Sequence, residues 1–171
     1  MKKILILDDE TSVLNALQRQ LIRNNWQVIS FKHPATALDY AKHVFFPIVI
    51  TDYRMPQMSG VEFLLEFQKL QPYAYKIMLS GQAGEYGMTE AINQAKIDYF
   101  IHKPWDNCQL LNQIDKGLNH YRQTIKHLLK TNSKRMSRED YLIWYEKLVE
   151  QACPSITKVK KNPLGWIEAE D

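Results

Sequence analysis

The chain has 171 residues, 45% of them hydrophobic and 24% charged, enough for one domain of ordinary size with some length left over. No apolar run approaches bilayer-spanning length, the four apolar residues before Asp8 are too few for a secretory signal, and Cys108 and Cys153 supply neither a disulfide framework nor zinc-ligand spacing, so a cytoplasmic chain with no membrane association is expected. The net charge of +3 is uneven: residues 1–115 carry 11 Lys/Arg against 12 Asp/Glu, residues 116–171 carry 11 against 7, and the shift divides a main domain over 1–125 from a segment over 126–171.

Ile4-Leu5-Ile6-Leu7 reads as a short buried strand that stops at Asp8-Asp9-Glu10. Thr11 or Ser12 is placed to cap a helix whose inner stripe is Val13, Leu14, Leu17 and Leu21. Trp26 to Phe31 forms a second strand. His33-Pro34 opens a second helix, Pro being tolerated at its first position, with Ala35, Leu38 and Ala41 as the packing face. Pro47 introduces a third strand, Ile48-Val49-Ile50, ending at Asp52. Pro56 and Gly60 turn the chain into a third helix marked by Val61, Leu64, Leu65 and Phe67. Tyr75 to Leu79 is a fourth strand closing on Ser80-Gly81, and a fourth helix is expected around Met88 to Gln94. Ile97 to Ile101 is a fifth strand closing on His102-Lys103-Pro104. Asp106 then caps a long helix expected to reach Lys130. Five alternations of strand and helix call for a doubly wound α/β fold, a five-stranded parallel sheet covered on both faces, with a helical C-terminal extension.

In open parallel sheets chemistry collects outside the carboxyl ends of the strands. Those ends carry Asp8 and Asp9 (strand one), Asp52 (three), Ser80 (four) and Lys103 (five). Crowded carboxylates resist ionising unless a cation sits among them. Mg²⁺, a small hard ion that takes one or two carboxylates plus water and phosphate oxygens, suits such a set. A Lys adds a fixed positive charge and a Ser hydroxyl a donor. Together they describe a site for an aspartyl phosphate, with one carboxylate as nucleophile. Each residue alone would read as a loop residue, a helix cap or a solvated charge; the conjunction carries the reading.

Asp8-Asp9, Asp52, Ser80 and Lys103-Pro104, at these spacings, resemble the receiver domain of bacterial two-component response regulators over about residues 1–125. Arg54-Met55-Pro56, Gly60 to Leu64 and Lys103-Pro104-Trp105 are similar to one branch of it, receivers attached to HD-GYP phosphodiesterases and to hydrogenase-type regulators. The resemblance implies a flavodoxin-like strand order 2-1-3-4-5. It also implies that Asp52 takes a phosphoryl group from a sensor histidine kinase or phosphotransfer protein, the chain being a signalling phosphoacceptor rather than a metabolic enzyme. Mg²⁺ would be held by Asp9, Asp52 and the backbone carbonyl of Arg54, with Asp8 acting largely through water. Lys103 would pair with the phosphoryl group, Ser80 would move to hydrogen-bond it, and Phe100 would turn inward as the aromatic switch. A cis Lys103-Pro104 peptide is expected, and Arg54 and Gln82 are expected to screen the site from water.

In the long helix Leu111, Ile114, Leu118, Tyr121, Ile125 and Leu128 recur at intervals of three and four, so a homodimer seam over residues 111–128 stands beside plain packing on the sheet. Ser137-Arg138-Glu139-Asp140 resembles a capping box opening a helix with Tyr141, Trp144, Tyr145, Leu148 and Val149 on one face. That face either folds back on the long helix or docks on a partner. The expected output is a protein–protein interaction or dimerisation with an unidentified downstream partner. A receiver-like scaffold that is never phosphorylated, and a DNA-binding regulator using the basic helix, are the alternatives; the basic residues read first as a solvated face rather than a nucleic-acid site.

Overall fold

The computed structural model describes residues 3–24, 26–81, 93, 95–135, 137, 139, 140, 142 and 143. Gln82, the fourth helix expected at Met88 to Gln94 (its residue 93 apart), and the aromatic face from Tyr141 to Val149 lie outside the described residues.

Five strands, β1 (Lys3–Leu7), β2 (Gln27–Phe31), β3 (Ile48–Asp52), β4 (Tyr75–Ser80) and β5 (Tyr99–His102), pair in parallel in the order β2-β1-β3-β4-β5. The described helices are α1 (Thr11–Ile22), α2 (Pro34–Ala41), α3 (Gly60–Leu70) and α4 (Asn107–Arg135). The flavodoxin-like order expected above is thus the observed one. β3 is buried at every position, because it lies at the middle of the sheet with helices on both faces.

Alternation along the strands divides the core in two. Ile4, Ile6, Ile48, Ile50, Ile77 and Leu79 face α1 and α4, where Leu14, Leu17, Leu21, Leu110, Ile114 and Leu118 meet them. Leu5, Leu7, Val49 and Met78 face α2 and α3, meeting Ala37, Ala41, Val61, Phe63, Leu64 and Phe67. Each fully buried Leu, Ile or Phe contributes about 1.5–3 kcal/mol of transfer free energy. Buried Gln71 ties the second layer together: its amide oxygen accepts from Phe46 N–H at 2.8 Å, and its amide nitrogen donates to the carbonyls of Ala41 and Val44 at 2.8 Å each.

Several local expectations change. Neither Thr11 nor Ser12 caps α1: the helix already begins at Thr11, which makes Glu10 the N-cap, without a side-chain cap bond. Of the expected face of α2, Ala41 is buried and Leu38 packs against the core, but Ala35 is exposed and Pro34 and Ala37 complete the stripe. Phe63 is fully buried where Leu65 is only half-buried. Asp106 does cap α4, accepting from Gln109 N–H at 2.7 Å.

α4 is longer than the sheet it packs on. Gly117 sits where a Cβ would lie 2.4 Å from the Tyr75 ring, so this helix–sheet approach tolerates only hydrogen there. The residues expected to make a dimer seam divide accordingly. Ile114 and Leu118 are buried in the core, Leu111 packs against it, and Tyr121 stacks on Phe45 with ring centroids 5.2 Å apart. The stretch 111–121 is therefore engaged within the chain, and of the seam only Ile125 and Leu128 lie farther out.

Candidate functional site

The parallel register brings the ends of β1, β3 and β4 to one edge of the sheet, and β5 delivers Lys103 beside them. A bond from Asp8 N–H to the Phe31 carbonyl at 3.2 Å continues the β1–β2 pairing one residue past the strand and holds Asp8 in line. Tyr53 N–H to the Leu79 carbonyl, 2.9 Å, does the same for the turn after Asp52. Lys103 N–H donates to the Ser80 carbonyl at 2.7 Å, and the Lys103–Pro104 peptide is cis, as expected.

At the centre one ammonium serves two carboxylates. Lys103 Nζ lies 2.7 Å from Asp8 Oδ2 and 2.6 Å from Asp52 Oδ1. The remaining oxygens are occupied by backbone donors: Glu10 N–H to Asp8 Oδ1 at 2.9 Å, and Arg54 N–H to Asp52 Oδ2 at 2.8 Å. The side chains of Asp8, Asp52 and Lys103 are 1%, 9% and 17% exposed, so these charges meet largely out of water, where they interact strongly.

Burial pushes the Asp8 carboxyl up. The hydrogen bonds from Lys103 and Glu10 and the Lys103 charge oppose this, the Asp52 charge adds to it, and the net result is above the ordinary carboxylate value. For Lys103 burial pushes the ammonium down, but its hydrogen bonds to Asp52 and Asp8 and the charges of both outweigh that and hold it above its ordinary value. The raised Lys103 states the balance more directly than Asp8 does: two carboxylates share one cation, and the site as a whole is short of positive charge.

Of the residues expected at the site, Asp8, Asp52 and Lys103 are in mutual contact. Ser80 is buried at the end of β4, one register step from them. Asp9 is exposed at the mouth, and the Arg54 side chain is exposed while its backbone N–H faces Asp52. Phe100 is half-buried against the layer formed with α2 and α3. Among the described residues no group of three His, Cys, Asp or Glu is placed to hold a metal ion. Two buried carboxylates short of a counter-charge nonetheless fit Mg²⁺, which takes one or two carboxylates and keeps several waters.

Sequence reasoning used Gly60 as a turn residue and as part of the stretch similar to one branch, and missed its structural role. A Cβ there would stand 2.0 Å from the Asp52 carbonyl oxygen and 3.2 Å from Tyr53 Cα, so the first turn of α3 rests directly on the backbone of Asp52. Gly60 N–H donates to the Tyr53 carbonyl at 2.9 Å. A capping box fixes that turn: Ser59 Oγ accepts from Glu62 N–H at 3.2 Å, and Ser59 N–H donates to Glu62 Oε2 at 2.8 Å. Ser59-Gly60-Val61-Glu62 was a readable signal for it. Gly60→Ala is expected to destabilise the fold by about 2 kcal/mol or more, because the obstacle is backbone rather than a movable side chain; urea unfolding measures it.

The family model for the response regulator receiver domain matches residues 4–115. The hydrogenase transcriptional regulatory protein HoxA of Bradyrhizobium diazoefficiens is 29% identical over 119 residues, covering 70% of this chain and 24% of that protein. The transcriptional regulatory protein FixJ of Rhizobium meliloti is 30% identical over 115 residues, covering 67% of this chain and 56% of that one. The chain thus spans about a quarter of the former and just over half of the latter. The signal receiver domain of an HD domain-containing protein from Pseudomonas fluorescens Pf-5 superposes with a TM-score of 0.68 at 26% identity, over 72% of this chain and 91% of that one.

Proposed function

Since the chain belongs to the response regulator receiver domain family, we propose that it accepts a phosphoryl group on Asp52 from the phosphohistidine of a sensor kinase or phosphotransfer protein. The receiver unit in this reading is residues 1–125, and residues 126–171 are an extension of it. The observation that carries the reading is the shared ammonium: Lys103 Nζ within 2.7 Å of both Asp8 and Asp52.

A carboxylate oxygen of Asp52 attacks phosphorus, the P–N bond breaks, and its electron pair returns to the imidazole, leaving an acyl phosphate. Asp52 suits this role better than its neighbours. Its side chain is the more open of the two carboxylates on Lys103, and Asp8, with a carboxyl held above the ordinary range, keeps its proton more readily. Lys103 neutralises the incoming phosphoryl oxygens, to which its Nζ turns from Asp52. Asp9, Asp52 and the Arg54 carbonyl, with Asp8 largely through water, would hold Mg²⁺, and the ion would supply the rest of the charge neutralisation. Ser80, buried one strand away, hydrogen-bonds the phosphoryl group. Phe100, on the neighbouring strand and only half-buried, follows it inward, which alters the β4–β5 surface offered to a protein partner.

The test is to incubate the full chain with Mg²⁺ and a small acyl phosphate donor and read intact mass. One phosphoryl group per chain is expected, and chelation of Mg²⁺ should reduce uptake by at least about tenfold. A chain that stays unlabelled with Mg²⁺ present would leave the scaffold reading in possession.

A further inference from the structure

Past Tyr121, α4 continues for 14 residues to Arg135, about 21 Å at 1.5 Å per residue. This overhang keeps an ordered stripe. Thr124, Ile125, Leu128, Leu129 and Asn132 are half-buried, while Gln123, Lys126, His127 and Lys130 are exposed. A helix with an apolar stripe beyond its sheet needs a second element along it.

We propose that the occupant is the chain's own segment 137–150, returning antiparallel along α4 as a helical hairpin. The connection is the first argument. α4 ends at Arg135, and Ser137 is already a helix cap, its Oγ accepting from Asp140 N–H at 3.1 Å and donating to Asp140 Oδ2 at 2.6 Å. Residues 139, 140, 142 and 143 are helical. So short a link between two helices turns the second back beside the first. The second argument is facial. Leu142 and Ile143 are 49% and 55% exposed, and a helix continued at 100° per residue would put Tyr141, Trp144, Tyr145 and Leu148 on the side away from them.

Charge is the third argument, and it decides between this occupant and a second copy. Residues 122–135 carry five Lys/Arg and no Asp/Glu, so two such overhangs repel when brought together. Segment 137–150 instead brings Glu139, Asp140, Glu146 and Glu150 against only Arg138 and Lys147. Being tethered, it also meets the stripe at a high effective concentration. The stripe is then covered in the free chain, and a partner that uses it must first displace the returning helix.

Hydrogen exchange on the full chain tests this without reference to phosphorylation. Amides 141–149 should exchange at least about tenfold slower than in an unstructured peptide, and the chain should sediment as a monomer. Leu128→Asp should abolish that protection and leave the sheet unaffected. Ile22→Asp, an equally apolar loss on the exposed face of α1, should leave it intact. Unprotected amides in the native chain would overturn the proposal. So would protection that appears only with a concentration-dependent dimer, which would assign the stripe to a second copy.

Discussion

Asp52→Asn is expected to take up no phosphoryl group under conditions in which the native chain takes up one, while remaining folded. The loss is complete because an amide oxygen is not a nucleophile at phosphorus and no other carboxylate has the same access. The Asp8 side chain is 1% exposed against 9% for Asp52, and exposed Asp9 has no described contact with Lys103. The fold survives for an electrostatic reason. Removing the Asp52 charge leaves Lys103 paired with Asp8 alone and relieves the repulsion that Asp52 exerts on Asp8. Against this, Asn offers one oxygen where Asp52 presented one each to Lys103 Nζ and Arg54 N–H. The two changes oppose, so the unfolding free energy should move by no more than about 1 kcal/mol. Intact-mass spectrometry reads the first part and urea unfolding the second. Label persisting in the variant would move the acceptor elsewhere.

Lys103→Met should act in the reverse sense, on stability as well as chemistry. Two largely buried carboxylates would remain side by side without their cation, and breaking a buried pair this way costs about 3–5 kcal/mol. The partial exposure of Lys103 puts the expectation near the lower figure. Its pH dependence is a sharper test than its size. Lys103 is held above its ordinary value in the folded chain, so its contribution is fully present below the ordinary lysine value of 10.5 and is lost as pH rises through the folded value. Asp8 is also raised, so folding binds its proton; its contribution is present below 3.8 and is lost as pH rises through the folded value. Without Lys103 the Asp8 carboxyl rises further. The gap between variant and native chain should therefore be constant up to about pH 10, and narrow on acidification once Asp8 begins to protonate in the variant. A gap that widens on acidification would contradict the shared-cation geometry.

These effects start from residues of unequal legibility. Asp52 and Lys103 were readable because each stands at the end of a short apolar run, where strand length leaves little freedom. The acidic pair was readable only as a pair. Adjacent residues of an extended chain point to opposite sides, so one acid had to face inward, but composition does not say which. The β1–β2 pairing, continued through the Phe31 carbonyl, turns Asp8 onto Lys103 and leaves Asp9 exposed. The backbone donors were invisible, since every residue has an N–H and only the turns after β1 and β3 aim those of Glu10 and Arg54 at carboxylates. The caps show a like contrast: Ser59 and Asp106 act as such, whereas Thr11 and Ser12 do not, because the helix starts one residue earlier and takes both into its first turn.

By itself the sequence determined the alternation of strands and helices, the parallel sheet, and which strand ends carry the polar groups of the site. Those are local properties, set by hydrophobic period, chain punctuation and the reach of short connections. Tertiary structure alone decided that the Lys103 ammonium is shared between Asp52 and Asp8, the latter 95 positions away, that Gly60 lies against the Asp52 carbonyl, and that Leu111 to Tyr121 are committed to the domain's own surface. Each depends on register and close approach between separate elements, and a pattern along one chain does not record the distance between two.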